Sequence, residues 1–82
     1  MNVTVYSKPG CQGCVATKRA LDRHEIPYTE IDITQDHHAA QRLREMNSLE
    51  LPRVEVTSGD YRNSWTGFRP SKIEELRDRL VA

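Results

Sequence analysis

Two cysteines, Cys11 and Cys14, stand either side of Gln12 and Gly13. A C-x-x-C of this kind serves two chemistries: reversible dithiol–disulfide exchange, or one half of a metal site. Exchange needs a thiolate that attacks a disulfide sulfur and a second thiol that releases the product. The motif follows a short β-rich run, Val3 to Tyr6, and a loop cluster, Ser7-Lys8-Pro9-Gly10. It opens a segment that reads as a helix. A helix N-terminus carries unpaired N–H groups and a partial positive charge. A thiolate at Cys11 would sit against both, so its pKa should fall below that of a free thiol. Cys14 lies one turn further on, within reach of the mixed disulfide. Lys8 adds positive charge three residues upstream, and Pro9 and Gly10 set the turn that exposes the sulfur.

Other readings of the pair fit less well. Zinc would need two further ligands at workable spacing. The candidates are His24, His37 and His38, and neither the adjacent pair nor the helical His24 has it. No metal or other cofactor is therefore expected beyond the reversible Cys11–Cys14 disulfide. A purely structural disulfide across four residues closes too small a loop to stabilise much. His37 and His38 read as solvated surface.

The elements that must hold this pair follow from periodicity. Gln12 to His24 is a helix with Cys14, Thr17, Leu21 and His24 on one stripe, stopped by Pro27. Tyr28 to Ile33 alternates, with Thr29, Ile31 and Ile33 on one face, as in a strand. Thr34 or Asp36 caps a second helix over 36–46, burying Ala39, Ala40, Leu43 and Met46. Arg53–Thr57 and Tyr61–Trp65 flank the turn Ser58-Gly59-Asp60 and form a hairpin. Ser71-Lys72-Ile73-Glu74 matches a capping box and starts a third helix with Ile73, Leu76 and Leu80 on one face. The order β-α-β-α-β-β-α joins the first two strands through a helix, which makes them parallel. The hairpin extends that sheet. The expected fold is α/β and thioredoxin-like, a four-stranded mixed sheet flanked by three helices.

Two further segments bear on the site. Pro52 precedes the hairpin, where the loop lies beside the cysteines in such a sheet. A proline there, especially in cis, holds backbone against the site without donating a hydrogen bond. The Leu51 backbone would then pair with an extended partner segment. The sequence leaves the isomer open. Trp65-Thr66-Gly67-Phe68-Arg69-Pro70 joins the last strand to the last helix. Trp65 and Phe68 either pin this loop into the core or form a docking surface beside the cysteines. Arg69 would bridge the last helix to a neighbouring loop or meet a partner carboxylate.

Size and charge narrow the function. Eighty-two residues make one domain over 1–82, with room for a single modest core. Such a chain buries about 60–65% of its unfolded surface, so chemistry is expected at the surface, on a partner protein. Twelve basic and twelve acidic residues cancel, which argues against nucleic acid and anionic membranes. No apolar run approaches the ~20 residues of a membrane span. Met1 to Tyr6 lacks the marks of a signal peptide, so the expected location is the cytoplasm. Nothing points beyond a monomer.

Together these features resemble the NrdH-type redoxins, glutaredoxin-sized proteins that serve ribonucleotide reductase. The resemblance spans nearly the whole chain. It rests on Val3-Thr4-Val5-Tyr6-Ser7-Lys8-Pro9, on Thr17-Lys18-Arg19-Ala20-Leu21-Asp22, and on Trp65 to Pro70, which is similar to the family's W-S-G-F-R-P with Thr66 for Ser. It implies a nucleophile at Cys11, a resolving thiol at Cys14 and a cis proline at Pro52. It also implies reduction by thioredoxin reductase, and delivery to the large subunit of a class Ib ribonucleotide reductase. The chain departs from the family where Gly13 replaces the usual Gln before the second cysteine. It departs again at Leu51 and Arg53, where Arg53 would put a cation near the partner groove. The alternatives are a glutathione-dependent glutaredoxin and a metal-binding module. Against the first, Glu50-Leu51-Pro52 and Thr66-Gly67-Phe68 differ from the glutathione-binding stretches of that family.

Overall fold

A computed structural model describes residues 1–81 of the chain. The elements are β1 (Asn2–Ser7), α1 (Gln12–Arg23), β2 (Thr29–Asp32), α2 (His37–Glu45), β3 (Arg53–Ser58), β4 (Tyr61–Thr66) and α3 (Pro70–Val81). The strands lie in the order β2-β1-β3-β4. β1 and β2 are parallel, and the two other pairings are antiparallel. This is the expected thioredoxin-like sheet.

Alternation along the strands sorts the side chains into two layers. Val3 and Val5 of β1, Val54 and Val56 of β3 and Trp65 of β4 point to one face. There they meet Ala20 and Leu21 of α1 and Ile73 and Leu76 of α3. Full burial of one such aliphatic side chain contributes about 1.5–3 kcal/mol, so this layer carries most of the stability. The opposite face is thinner: Tyr6, Ala39 and Leu43, with Ile31, Ile33 and Leu51 against them. The apolar face expected for the second strand therefore looks toward α2, while Tyr28 packs on the main core.

Helix ends differ from the sequence expectations for local reasons. Asp36, not Thr34, caps α2, its carboxylate accepting from the Ala39 N–H at 2.9 Å. Thr34 instead bonds Asp32 through both its N–H and its hydroxyl. Met46 lies past the last turn of α2 and is exposed rather than buried. In α1 the buried stripe is Cys14, Thr17, Ala20 and Leu21, and His24 is the C-cap. α3 starts at Pro70, as proline's preset φ favours at a first helical position. Ser71 is thus inside the helix and forms no capping box. Leu80, expected on the buried face of α3, is exposed. The hairpin turns through Gly59 and Asp60, with Gly59 at φ +61.

Candidate active site

Cys11 is the N-cap of α1. Its backbone is extended (φ −91, ψ 108), its carbonyl accepts the Val15 N–H at 3.2 Å, and its sulfur accepts the Cys14 N–H at 3.1 Å. The sulfur therefore lies on the electropositive end of the helix, where negative charge is stabilised. Cys14, the first buried residue of α1, is 1% exposed, whereas Cys11 is partly accessible. The two are joined as a disulfide with Cα atoms 5.2 Å apart. An incoming thiolate can reach only the Cys11 sulfur. Of the two sulfur-bearing residues, Cys11 faces the surface and Cys14 lies beneath it.

Three stretches distant in sequence converge here. The Leu51–Pro52 peptide is cis. The Pro52 ring is buried and faces Gly13: a Cβ built on Gly13 would lie 3.2 Å from the Pro52 Cδ. The same Cβ would lie 3.8 Å from the Phe68 N. Gly67, at φ +82, donates its N–H to the Pro52 carbonyl at 2.8 Å. Glu50 closes the group, its carboxylate accepting from the Thr66 hydroxyl. A side chain on Gly67 would meet that carboxylate at 3.7 Å. The register Tyr6↔Arg53 and Arg53↔Thr66 is what aligns these ends.

The remaining expected site residues divide. Gln12 is exposed at the first turn of α1, and Lys8 is exposed in the preceding loop. Leu51 packs beside Tyr6 and Leu43. Trp65 is buried in the main core at 5% exposure, so its ring pins the loop and offers no surface. Phe68, by contrast, is 41% exposed beside Gly13 and is not part of the core. Arg69 contacts α3 through its carbonyl, which accepts from the Lys72 and Ile73 N–H groups. Arg53 does not enter the groove by Pro52. It pairs with Glu55 at 2.9 Å and reaches the Ser48 hydroxyl at 3.2 Å.

Two polar networks support the site and have no local signature in the sequence. The Glu30 carboxylate accepts from the Ser7 hydroxyl and the Lys18 ammonium, each at 2.7 Å. Hydrogen bonds from Lys18 and Ser7 hold its pKa below the usual carboxylate range. The network ties α1 to the end of β1, just before the cysteine loop. On the other face Glu55 meets Arg42, Arg53 and the Tyr6 hydroxyl. Burial works to raise the Glu55 pKa, but hydrogen bonds and charge from Arg42 and Arg53 outweigh it and lower it. Among the described residues no three His, Cys, Asp or Glu side chains gather as a metal site. Nor is any described helix long and apolar enough to cross a membrane.

A protein-family model for glutaredoxins matches residues 3–60. The chain belongs to the glutaredoxin family. Within it, the similarity runs to the NrdH type. The glutaredoxin-like protein NrdH of Escherichia coli K12 is 37% identical over 76 residues, 93% of this chain and 89% of the relative. NrdH of Lactococcus lactis subsp. cremoris is 36% identical over 74 residues, 90% of this chain and 97% of the relative. The solved NrdH-redoxin from Escherichia coli, described as having a thioredoxin-like activity profile, aligns with a TM-score of 0.80 over 93% of this chain and 95% of its own. Thioredoxin 1 from Thermosipho africanus shares the fold, with a TM-score of 0.67 at 14% identity. The chain is an NrdH-type, glutaredoxin-like thiol–disulfide oxidoreductase with its redox disulfide at Cys11 and Cys14.

Proposed function

We propose that this redoxin carries electrons from thioredoxin reductase to an enzyme that forms a disulfide in each turnover, a class Ib ribonucleotide reductase being the leading candidate. It acts as a cytoplasmic monomer. The observation that carries the reading is the asymmetry of the pair: Cys11 accessible at the cap of α1, Cys14 buried behind it. The Cys11 thiolate attacks a disulfide of the acceptor, forming a mixed disulfide and expelling one acceptor thiolate, which takes up a proton. Cys14 loses its proton and attacks the Cys11 sulfur, expelling the second acceptor thiolate. The acceptor leaves as a dithiol, and Cys11 and Cys14 leave as a disulfide. Two electrons from NADPH, delivered by the reductase, restore the thiols.

Leu51 and Pro52 line the approach to Cys11. The Pro52 carbonyl is held by Gly67, and an extended acceptor segment would pair with the Leu51 backbone. Phe68 adds exposed apolar surface on the other side of Gly13. Thioredoxin reductase is favoured over glutathione by the Glu50 carboxylate beside Thr66 and Gly67. Glutathione carries two carboxylates, and a fixed negative charge at this turn opposes it. The resemblance of Trp65–Pro70 to the NrdH signature points the same way.

The test is a paired assay of NADPH oxidation. Turnover is expected with a bacterial thioredoxin reductase. Turnover with glutathione and glutathione reductase alone would replace this reading by that of a glutathione-dependent glutaredoxin.

A further inference from the structure

α2 covers only part of the second face of the sheet. Its buried residues, Ala39 and Leu43, pack with Tyr6 and Ile31, over β1 and β2. The same face of β3 and β4 lies open as a trough of about 450 Å³. Arg53 stands at one end, Arg42 and Glu55 in the middle, and Arg62, across from Thr57, at the far end. Ser64 supplies a further hydroxyl. Glu55 is the one carboxylate in the lining, and Arg42 and Arg53 both pair with it. Among the described residues Arg62 makes no ion pair. Three guanidinium groups against one carboxylate leave a positive surplus on a chain whose formal net charge is zero.

We propose that this trough receives a carboxylate-rich, extended segment of the protein whose disulfide is exchanged at Cys11. The proposal deepens the function above and rests on it. Charge complementarity chooses the occupant: an apolar segment would strand guanidinium and hydroxyl groups without water. Length chooses an extended chain over a small anion. Arg53 to Thr57 spans about 13 Å of strand, so one small anion cannot engage both ends. Position chooses the exchange partner, because the trough begins one residue after Pro52. Arginine suits the role through its forked donors, which match a carboxylate.

The experiment is single-turnover reduction by the pre-reduced full-length protein, with no reductase present. The probes are disulfide-bonded synthetic peptides that differ only in a flanking run of Glu or of Gln. At low ionic strength the Glu peptide should react about tenfold faster, within the usual range of electrostatic steering. At about 1 M salt, where the screening length is about 3 Å, the ratio should fall to about one. Arg62→Glu, which leaves two guanidinium groups against two carboxylates, should bring the low-salt ratio to about one, and Arg62→Gln should give an intermediate value. Equal rates at low salt, or a ratio indifferent to Arg62→Glu, overturn the proposal. A cysteine-free Glu peptide provides the second readout, through backbone amide shifts of Thr57, Arg62 and Ser64. If neither disulfide peptide is reduced, the dithiol reading fails, and these shifts alone decide the trough. Their presence with Glu and absence with Gln upholds it, and no shift with either refutes it.

Discussion

Gly13 faces the Pro52 ring with no room for a side chain between them: a Cβ on Gly13 would approach the Pro52 Cδ to 3.2 Å. The contact joins the first turn of α1 to the loop that enters β3. It also explains why this chain holds glycine between its cysteines, since the space is already taken. Gly13→Ala would push the two apart by a few tenths of an ångström. A displacement of about 1 Å can cost 10²-fold in rate. We therefore expect Gly13→Ala to slow disulfide exchange by about two- to fivefold, and Gly13→Val by more. Second-order rate constants for reduction of a small disulfide, measured by stopped flow, check this.

Cys14→Ser should still attack through Cys11 but should not release its partner. Intact-mass spectrometry after incubation with glutathione disulfide should show one stable adduct on Cys14→Ser. Cys11→Ser should carry none, because Cys14 is 1% exposed. Equal adduct formation on both variants would contradict the assigned roles.

Glu55 makes stability depend on pH in a definite direction. Its carboxyl has a lowered pKa in the fold, facing Arg42 from α2, Arg53 from β3 and Tyr6 from β1. The unfolded chain thus binds the proton more tightly than the folded one. The stabilisation is complete above the unfolded value, near 4.3 for Glu, and is lost as pH falls through that value to the depressed one. Glu30, lowered by Lys18 and Ser7, acts in the same sense. Urea midpoints measured between neutral pH and pH ~3 should drop more steeply for the native chain than for Glu55→Gln.

Asp36→Ala removes the carboxylate that accepts the Ala39 N–H. Loss of such a cap typically costs about 1 kcal/mol, which for a domain of this size lowers the melting temperature by about 4–8 °C. Only Ala39 and Leu43 are buried from α2, and Arg42 adds its contacts with Glu55 and Tyr6, so the cap is a sizeable part of what holds the helix. Thermal unfolding followed by circular dichroism checks the shift. Disulfide exchange at Cys11 should keep its rate.

Much of this was legible in sequence because it is local. The β-rich run Val3–Tyr6, alternation in Tyr28–Ile33 and Arg53–Thr57, helical stripes, and loop residues around Pro9 and Pro52 place all seven elements in order. The cysteine pair was readable because its place after a strand and before a helix sets its chemistry. What escaped was either a boundary or a meeting of distant side chains. Periodicity put Met46 on a buried stripe, yet the helix stops at Glu45 and the side chain falls past its end. Trp65 and Phe68 are near neighbours of similar character, but a strand ends at Thr66 and Gly67 turns the chain, so one goes inward and the other out. Arg53 reads in sequence as a free cation beside Pro52, whereas Glu55, two residues on and on the same face of β3, pairs with it. Glu30 and Glu50 carry no local signal, because their partners Ser7, Lys18 and Thr66 lie at least twelve residues away.

The strand order has a kinetic meaning for the chemistry. β1 leads into the cysteine loop and β3 emerges from Pro52, and these two are the inner strands of the sheet. Each is hydrogen-bonded along both edges, whereas β2 and β4 each leave one edge free. Backbone with partners on both sides belongs to the last part of a native structure to open. The reactive sulfur and the loop facing it thus hang from the strands whose amides should exchange slowest. Edge strands and hairpin tip should open before the two inner strands that carry Cys11 and Pro52.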